Sequence, residues 1–246
     1  MKKPTISIIV PALNEEENIE AAVRKAIRLA EGKFRAYEII IINDGSTDKT
    51  GEIIEHLRKE IKNIIIIHHR KPMGLGYSFK DGVAKAKYEY CALVAGDNEE
   101  EEESQQLIFD NVAKVANVDI FLVYPTNAEI RPLIRQFISK SFTLVMNLLF
   151  RLDLPYYSGG NIIRTKLLQN TPIYTSGFAY MPSLLVRLIK SGCSYKIVKS
   201  TLRKSEKTTL FNLKNILSVF QEVSRLFIEV NITDRSKYLK QEKLVI

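Results

Sequence analysis

Residues 90–103 read YCALVAGDNEEEEE, and this stretch both predicts the fold and locates a candidate site. It begins with an apolar run, residues 91–95, that has the length of a buried strand, and it then turns acidic through Gly96 and Asp97. A buried strand that ends in a glycine and a carboxylate brings an oxygen ligand to the carboxyl edge of a sheet, where open α/β sheets bind ligands. We therefore hypothesise that Asp97, together with Glu99, holds a divalent cation against a diphosphate. The alternative is a strand followed by the solvated acidic start of a helix.

Length and composition favour one domain with a sizeable core. The chain has 246 residues, of which 46% are hydrophobic, and this is enough to bury one core. No run of about eighteen apolar residues occurs, so the sequence predicts no transmembrane helix. The first apolar stretch stops at Pro11, which is too early for a signal peptide and is typical of a first strand. Cys91 and Cys193 show no metal or redox spacing, so we expect a reducing, cytoplasmic environment.

Basic residues are concentrated towards the C-terminus. Residues 187–246 contain 13 Lys and Arg against 5 Asp and Glu, an excess equal to the net charge of +8 for the whole chain. A basic tail on a neutral body predicts an anionic partner such as a phosphorylated lipid, a membrane surface or nucleic acid, and a merely solvated basic face is the common alternative. We expect no nucleic-acid partner, because the chain has no reader motif and no interleaved aromatic platform.

Buried strands alternate with helices over the first half of the chain. We predict strands at residues 6–10, 37–42, 64–68, 91–95 and 119–124. Between them we predict helices at residues 15–30, 49–59, 77–87 and 101–115, the first of them capped by Asn14. The alternation predicts an α/β protein with a mostly parallel, doubly wound sheet. Residues 70–76 form a glycine loop that we expect to be mobile, and we interpret His68 and His69 as loop or surface residues.

The second half of the sequence is more apolar. Residues 132–150 are strongly apolar with Arg131, Arg135 and Lys140 near their start, and they form either an interfacial membrane helix or a core helix. We predict a short strand at 162–164, a helix at 177–190 and an edge strand at 195–198. Apolar residues from Leu210 to Phe227 recur at helical spacing. They predict a second amphipathic helix that packs on the domain, on a partner subunit in a homodimer, or on a membrane.

Polar side chains follow three of the predicted strands. Asn14 and Glu15 follow the first strand, Asp44 the second and Asp97 the fourth. A carboxylate after the second strand is placed to accept a hydrogen bond from a nucleobase or a ribose, and one after the fourth to bind a metal that bridges two phosphates. Mg²⁺ and Mn²⁺ prefer oxygen ligands and keep several waters, so a few protein carboxylates suffice.

At these positions the chain resembles the family 2 glycosyltransferases of the GT-A fold. The motifs are VPALNE at 10–15, NDGSTD at 43–48, GLG at 74–76 and GDN at 96–98. Farther on, SGGN at 158–161, GFAY at 177–180 and the basic stretch from Arg203 resemble the branch that includes dolichol-phosphate mannosyltransferase and related polyprenyl-phosphate glycosyltransferases. The resemblance implies a GT-A domain over residues 1–204, with a nucleotide-binding half at 1–125 and an acceptor half at 126–204. A basic, amphipathic helical tail then occupies residues 205–246.

The resemblance also implies roles for single residues. Residues implied to bind the sugar nucleotide are Pro11, Leu13, Glu15, Asp44, Gly74, Asp97, Arg131 and Lys207. Among these, Asp44 is implied to read the base or the ribose, and Asp97 to bind Mg²⁺ or Mn²⁺. Arg203, with Lys204 or Lys207, is implied to face the donor diphosphate or the acceptor phosphate. The implied catalytic residues are Asp97 and Arg203.

The sequence departs from the family pattern at three places. The metal motif Asp-x-Asp reads Ala95-Gly96-Asp97, so we hypothesise that Asp97 and Glu99, which face the same way in an extended segment, replace the usual pair. Several relatives carry a carboxylate where residues 181–183 stand, and a hydroxyl acceptor needs such a base. Its absence favours an ionised phosphate acceptor, or else an enzyme that has lost activity. The basic motif at 207–209, KTT, lacks the glycine and the final lysine of relatives.

Together these observations predict a metal-dependent, inverting glycosyltransferase. We expect a nucleoside-diphosphate sugar as donor and a polyprenyl phosphate as acceptor, with the protein in the cytoplasm or peripheral on the cytoplasmic face of a membrane. The alternative is a catalytically impaired sugar-nucleotide-binding or scaffold protein on the same fold. The sequence argues against a dinucleotide-dependent dehydrogenase and a P-loop nucleotidase, because the G-x-G-x-x-G after the first strand and the P-loop motif are both absent.

Overall fold

The computed structural model describes residues 3–97, 101–115, 117–202, 213–238 and 243–244. Its strands are β1 Thr5–Ala12, β2 Ala36–Asn43, β3 Ile64–His68, β4 Tyr90–Leu93, β5 Ile120–Pro125, β6 Ile162–Arg164, β7 Ser194–Ser200 and β8 Lys243–Leu244. Its α-helices are α1 Ile19–Ala30, α2 Thr50–Glu60, α3 Leu75–Lys85, α4 Glu102–Lys114, α5 Leu133–Phe150, α6 Thr165–Asn170, α7 Tyr180–Lys190 and α8 Leu213–Ile228.

The eight strands form one sheet in the order β3-β2-β1-β4-β6-β5-β7-β8. β6 runs antiparallel to β4 and β5, and every other neighbouring pair is parallel. The predicted α/β class with a mostly parallel sheet flanked by helices is therefore confirmed. The prediction that residues 195–198 form an edge strand is wrong, because β8 pairs with the start of β7 on the side away from β5.

The two faces of the sheet are buried against different helices. On one face, Ile8 and Ile41 pack in a core with α1, α2 and α4. On the other face, Ile9 and Ile40 pack with α3, α7 and the inner sides of α5 and α8. Successive side chains of a strand point to opposite faces, so strands buried on both faces read as continuous apolar runs. Each fully buried isoleucine contributes roughly 1.5–3 kcal/mol relative to an exposed one.

The first helix begins later than its sequence predicts. α1 starts at Ile19, and Asn14 adopts a left-handed conformation with φ of 56°. The side chain of Asn14 accepts a hydrogen bond from the backbone of Thr47 at 2.8 Å. The prediction of Asn14 as helix cap is therefore wrong. Its side chain accepts a hydrogen bond from the loop after β2 and not from the first turn of α1.

Helix α5 lies on the surface of the protein, with a buried inner side. Met146 and Phe150 are fully buried, whereas Leu133, Phe137 and Leu148 are 82%, 68% and 70% exposed. The expectation of a helix at residues 132–150 is confirmed, and the alternative of a core helix holds only for its inner side. Within the part of the chain that the structure describes, no helix combines the length and apolar character needed to cross a bilayer.

Helix α7 is joined to the turn that follows α8 by a buried ion pair. Arg187 on α7 is 2% exposed, and its Nη2 donates to Oε2 of Glu229 at 2.7 Å. Burial alone raises the pKa of Glu229, but hydrogen bonds from Arg187 and Tyr238 outweigh burial and hold this pKa below its ordinary value. The pair therefore stabilises the fold near neutral pH, and this contribution is lost as the pH falls through the lowered pKa. Glu222 of α8 lies 3.5 Å from the same guanidinium nitrogen.

We expect Arg187→Ala to lower the free energy of unfolding by about 3–5 kcal/mol, because Glu229 and Glu222 then stay buried without their cation. Urea denaturation followed by far-ultraviolet circular dichroism measures this change. Arg24→Ala is the matched control, since Arg24 pairs with Glu20 at 2.8 Å on the exposed face of α1, where ion pairs contribute little. Equal unfolding midpoints for the two variants would contradict the assigned role of Arg187.

Candidate functional site

Side chains join the loops that follow β1 and β2. The backbone N–H groups of Asn14 and Glu15 donate to Oγ of Ser46 at 3.0 Å and to Oγ1 of Thr50 at 2.8 Å. The bond from Thr47 to Asn14 adds a third link between the same loops. These bonds satisfy backbone groups that the ends of the parallel strands leave without ladder partners. As a result, two of the loops at the carboxyl edge of the sheet form one unit.

The carboxylate of Asp44 organises a third loop. Its Oδ1 accepts from the backbone N–H of Met73 and its Oδ2 from that of Gly74, each at 2.9 Å. Nδ1 of His69 lies 2.7 Å from the same Oδ1. The backbone N–H of Asp44 donates to the carbonyl of Ala12 at 2.9 Å. Asp44 thus connects the end of β1, the end of β2 and the loop that begins α3.

The glycine loop before α3 is anchored, in contrast to the mobile loop that its sequence predicts. Gly74 has φ of 93°, and the N–H of Gly76 donates to the carbonyl of Ser176 at 2.9 Å. A Cβ on Gly76 would stand 2.4 Å from the carbonyl oxygen of Thr175. These glycines therefore permit close packing of two backbones, and the loop has fixed partners on both sides.

A cleft of about 530 Å³ lies over the carboxyl ends of β4, β5 and β7. Three carboxylates that line it are Glu15, Asp97 and Glu101. Two arginines, Arg131 and Arg135, line it as well. The cleft therefore carries both negative and positive side chains, a combination suited to holding a cation and a phosphate within one cavity.

The acidic side of the cleft depends on the segment after β4. The N–H of Gly96 donates to the carbonyl of Pro11 at 3.1 Å, which holds this segment beside the end of β1. Ala95 and Asp97 both line the cleft. Among the described residues, no three His, Cys, Asp or Glu side chains converge into a complete metal site. Carboxylate oxygens nevertheless fit Mg²⁺ or Mn²⁺, which need only one or two of them when phosphates and waters complete the shell.

The basic side is built on the loop before β6. Nη1 of Arg131 donates to the hydroxyl oxygen of Tyr156 at 3.2 Å. Oδ1 of the buried Asn161 accepts from the N–H of Val123 at 2.8 Å, and a Cβ on Gly159 would stand 2.4 Å from the carbonyl oxygen of Val123. In the SGGN motif, the first glycine therefore permits close packing against β5, and the asparagine accepts a hydrogen bond from the backbone of β5.

The predicted site residues fall into three groups. Those that line the cleft are Glu15, Asp97 and Arg131. Those that lie along the ends of β1 and β2 or in the loop tied to Asp44 are Pro11, Leu13, Asp44 and Gly74. Those that lie outside the described residues are Glu99, Arg203, Lys204 and Lys207. Their individual roles in binding and catalysis stay predictions.

The helix that lacks the expected carboxylate does not border the cleft. Met181 and Ser183 of α7 are 4% and 2% exposed and pack in the interior. Because this turn faces the core, the lack of a carboxylate there does not change which side chains line the cleft.

Several residues with a place in the site escaped the sequence-based prediction. His69 carries no metal spacing, yet its side chain is only 8% exposed and contacts two carboxylates. The sequence marks Arg135 only as part of an apolar helix and Glu101 only as one of a run of acidic residues. The available signal for the basic side is only the short spacing of the two arginines, because Arg131 precedes α5 in an extended conformation and Arg135 lies in the first turn of that helix. No local signal existed for His69, because its partners lie far away in sequence.

The fold and its carboxylate-lined cleft define a GT-A protein, and the family comparison agrees. A model of the family described as glycosyl transferase family 2 matches residues 7–171. Since this is more than half of the chain, the chain belongs to glycosyl transferase family 2. The predicted family is therefore confirmed.

Relatives of known sequence support the predicted branch. The chain is 30% identical over 125 residues to a dolichyl-phosphate beta-glucosyltransferase of Dictyostelium discoideum, and the match covers 48% of this chain and 38% of that one. A dolichyl-phosphate beta-glucosyltransferase of Trichomonas vaginalis is 31% identical over 37% of this chain and 30% of its own length. The chain thus spans well under half the length of these relatives. An uncharacterised protein of Methanocaldococcus jannaschii is 24% identical over 90% of this chain and 99% of its own.

Solved structures share the fold. The glucosyl-3-phosphoglycerate synthase of Mycobacterium tuberculosis, in complex with uridine diphosphate, superposes with a TM-score of 0.64 at 16% identity. The match covers 92% of this chain and 79% of the synthase. At this identity the comparison establishes the GT-A architecture.

We expect Gly45→Ala to destabilise the protein by at least about 2 kcal/mol more than Gly32→Ala. Both glycines have positive φ, 76° and 71°, so both variants carry the backbone strain of about 1–2 kcal/mol that this region imposes on other residues. A Cβ on Gly45 would also stand 2.4 Å from the backbone of Lys71, whereas nothing lies within 4 Å at Gly32. Urea denaturation gives the unfolding free energy of each variant. The difference between the two values reports the cost of the steric clash between a side chain at position 45 and the backbone of Lys71. Equal unfolding free energies would show that the loops separate without cost.

Proposed function

We propose that this protein is a metal-dependent, inverting glycosyltransferase that moves a sugar from a nucleoside-diphosphate sugar to a polyprenyl phosphate at a membrane surface. The observation that carries the proposal is a cleft with carboxylates and arginines at the sheet's carboxyl edge, next to a surface helix that is apolar on its outer side. The first feature suits a donor diphosphate with its cation, and the second suits a lipid that carries a phosphate.

The acidic side of the cleft suits the donor. A diphosphate approaches carboxylates only together with a cation. Asp97 would hold Mg²⁺ or Mn²⁺, and the bound ion would supply the positive charge that a departing diphosphate requires. Glu15 lines the cleft beside Asp97, and Asp44 lies at the end of the neighbouring β2. Structures of the mycobacterial synthase that shares this fold contain uridine diphosphate with Mn²⁺ or Mg²⁺. This likeness supports the choice of metal.

The basic side suits the acceptor phosphate. Arg131 and Arg135 each present a fork of N–H donors that matches phosphate oxygens, and the bond from Arg131 to Tyr156 fixes one of these forks. Two similar relatives are named as dolichyl-phosphate beta-glucosyltransferases, which supports a polyprenyl phosphate as acceptor. A phosphate monoester is largely ionised at neutral pH, so its oxygen attacks without a general base.

The proposed reaction exchanges one carbon–oxygen bond for another. A bond forms between an acceptor phosphate oxygen and the anomeric carbon, and the bond from that carbon to the donor diphosphate breaks. The electron pair leaves with the nucleoside diphosphate, and no proton is transferred. Attack from the face opposite the leaving group inverts the anomeric centre. Arg131 and Arg135 orient the acceptor phosphate, and Asp97 would hold the cation that neutralises charge on the diphosphate, so position and charge together supply the catalysis.

The outer side of α5 suits the lipid part of the acceptor. We name as the α5 stripe its exposed apolar residues Leu133, Ile134, Phe137, Ile138, Leu144, Val145 and Leu148. Asn231 donates to the carbonyl of Leu149 at 3.4 Å, so the end of α5 lies beside the turn after α8. Ile228, the last residue of α8, and Ile232 in that turn are also exposed. An apolar surface on a helix that also carries arginine is typical of binding at a membrane interface. We propose the cytoplasmic face as its location.

The alternative is a catalytically impaired protein that binds sugar nucleotides or acts as a scaffold. Ala95 favours it, because this residue lines the cleft at the position of the family's first metal-binding carboxylate. Hydrolysis of a sugar nucleotide, or its transfer to a short polyprenyl phosphate in the presence of Mn²⁺, separates the two functions. Binding of the donor without either reaction would favour the scaffold.

We expect Asp97→Asn to lower the affinity for Mn²⁺ in the presence of uridine diphosphate by at least about tenfold, because it removes one charged oxygen ligand. Isothermal titration calorimetry with Mn²⁺ measures the change. Asp110→Asn is the control, since Asp110 lies on α4 and pairs with Lys33 at 2.8 Å instead of lining the cleft. Undiminished Mn²⁺ affinity in Asp97→Asn would overturn the metal assignment.

We expect the double variant Phe137→Asp, Leu148→Asp to bind lipid vesicles at least about tenfold more weakly than the wild type, because it places two charges in the α5 stripe. Sedimentation with vesicles of phosphatidylcholine and phosphatidylglycerol measures binding. Leu107→Asp is the control, since Leu107 is 52% exposed on α4, which packs on the opposite face of the sheet. If the wild type does not bind vesicles but forms a dimer, and the double variant is a monomer, the α5 stripe is a subunit interface.

A further inference from the structure

We propose that a second cavity, beside the turn that follows α8, binds the head group of an anionic phospholipid through its phosphodiester. The inference rests on the proposed function, because it takes the outer sides of α5 and α8 to lie at a membrane surface. It adds a lipid-binding site that is separate from the cleft.

This second cavity has a volume of about 740 Å³ and is walled by the ends of α6 and α7, by α8 and by the turn after α8. None of the described residues that line it also lines the cleft. The side chains of its lining that suit an oxyanion are Tyr174, Arg187, Ser191, Arg225, Ser236 and Lys237. Because guanidinium, ammonium and hydroxyl groups are usual partners of phosphate oxygens, this lining indicates a site for a phosphate group.

Arg187 brings an unused donor group to this cavity. Its Nε and Nη2 donate to the two carboxylate oxygens of Glu229, at 3.0 Å and 2.7 Å. Its Nη1 has no hydrogen-bond partner within the described ranges, although Arg187 is only 2% exposed. Glu222 lies 3.5 Å from Nη2 and does not line the cavity. A buried donor without a partner is costly, so an oxyanion in the cavity that accepts from Nη1 removes this cost.

Arg225 supplies a cation that a ligand can reach. Its guanidinium carbon lies 4.8 Å from the centroid of the Tyr174 ring, and that of Arg187 lies 5.1 Å from the same centroid. In the parts of the chain that the structure describes, no carboxylate pairs with Arg225. Two cations close to one ring repel each other, and an anion bound beside them reduces this repulsion. Because Arg225 and Tyr174 are both exposed, the ligand approaches them from the surface.

The charge balance of the lining favours an oxyanion with a single charge. Nζ of Lys237 donates to Oδ2 of Asp234 at 2.8 Å, and Arg187 is paired with Glu229. Among the charged side chains that line the cavity, Arg225 is therefore left without a balancing carboxylate. A phosphodiester carries one negative charge, whereas a phosphate monoester carries nearly two at neutral pH. One unbalanced cation thus matches the phosphodiester.

Hydroxyl groups in the lining favour a head group that carries hydroxyls of its own. Oγ1 of Thr171 donates to the carbonyl of Leu167 at 2.7 Å, and Oγ of Ser191 donates to that of Leu188 at 2.8 Å. Both oxygens keep a lone pair, so they can accept hydrogen bonds from a ligand. The head group of phosphatidylglycerol offers two hydroxyls next to its phosphodiester. Phosphatidylcholine has a quaternary ammonium in their place, which Arg225 repels.

The cavity borders an apolar surface that suits the acyl chains. Arg225, Ile228 and Ile232 recur at helical spacing, so they lie along one side of α8 and the turn after it. Ile228 and Ile232 are 49% and 63% exposed. Farther round α8, the ring of Phe227 lies 6.4 Å from that of Phe150 at the end of α5. A lipid with its phosphate at Arg225 therefore has exposed isoleucines beside it, on the helix that packs against α5.

The test measures the binding of dihexanoyl phosphatidylglycerol, kept below its critical micelle concentration, to the full chain by isothermal titration calorimetry. We expect Arg225→Gln to bind it at least about tenfold more weakly than the wild type, because the variant loses a charged fork of donors. Ser236→Glu places a negative charge in the same lining and should have the same effect. Urea unfolding midpoints show that each variant is folded.

Arg235→Gln is the matched control. It removes the same charge from an exposed residue that does not line the cavity. Because solvent and salt screen an exposed charge outside the site, we expect its affinity to stay within about twofold of the wild type. An equal loss of affinity in Arg225→Gln and Arg235→Gln would show general attraction by a basic surface and would overturn the inference.

Two further ligands identify the source of the phosphate. Dihexanoyl phosphatidylcholine and inorganic phosphate should each bind the wild type at least about tenfold more weakly than dihexanoyl phosphatidylglycerol. If phosphatidylcholine binds as tightly, the assigned head group is wrong. If inorganic phosphate binds as tightly and Arg225→Gln weakens its binding, the cavity is a site for free phosphate and the inference on the lipid is wrong.

Sedimentation of the wild type with vesicles of phosphatidylcholine and phosphatidylglycerol separates this inference from the proposed membrane location. A wild type that binds vesicles but not the monomeric short-chain lipid overturns the inference and leaves the membrane location standing. A wild type that binds neither overturns both. Binding of the monomeric lipid that Arg225→Gln and Ser236→Glu weaken, and that Arg235→Gln leaves unchanged, supports the site.

Discussion

The site depends on one constraint, the need to satisfy backbone polar groups where fully buried parallel strands end. β1 and β2 are buried on both faces, so their ends emerge side by side with no solvent-facing strand residues between them. Side chains of the next residues meet this need: Asn14 bonds to the loop after β2, and Asp44 bonds to the loop before α3. The polar residues that sequence motifs mark as functional are therefore also the residues that hold the loops together. A change at Asp44 therefore alters the arrangement of the loops around the proposed site.

The sequence predicted the strands well because burial on both faces leaves a strong local signal. The run of four isoleucines that ends at Ile42 is typical of a central strand, and it lies in β2. Strand β3 has the bounds that its composition predicts. Helix starts were predicted less well. Asn14 has the composition of a cap, yet its partner is Thr47, more than thirty residues away. His69 illustrates the same limit: both of its partners are distant in sequence, so only the folded chain reveals that it is a site residue.

For helix α5, the sequence pattern predicts the helix but not its environment. Core helices and membrane-interface helices can have the same apolar composition. Helix α5 fits both descriptions, because it packs inward on one side and presents apolar residues outward on the other. Met146 and Phe150 supply the inner contacts, and Phe137 and Leu148 stay exposed. Which side of α5 is buried therefore depends on the neighbouring elements, among them the end of α8, where Phe227 packs against Phe150. The same limit applies to Arg131 and Arg135, because only the folded chain shows that both line one cleft.

Ala95 is compatible with the proposed chemistry if the nucleotide supplies what the protein lacks. A site with fewer carboxylates attracts a bare divalent cation more weakly, and it also repels an incoming diphosphate less. The electrostatic balance then favours joint binding of cation and nucleotide, with phosphate oxygens in place of a second protein carboxylate. Two arginines in the same cleft strengthen this bias, because they attract the anionic acceptor and oppose a bare cation. On this argument the loss of the first aspartate changes the order and cooperativity of binding, and the scaffold alternative requires a further defect that Ala95 alone does not supply.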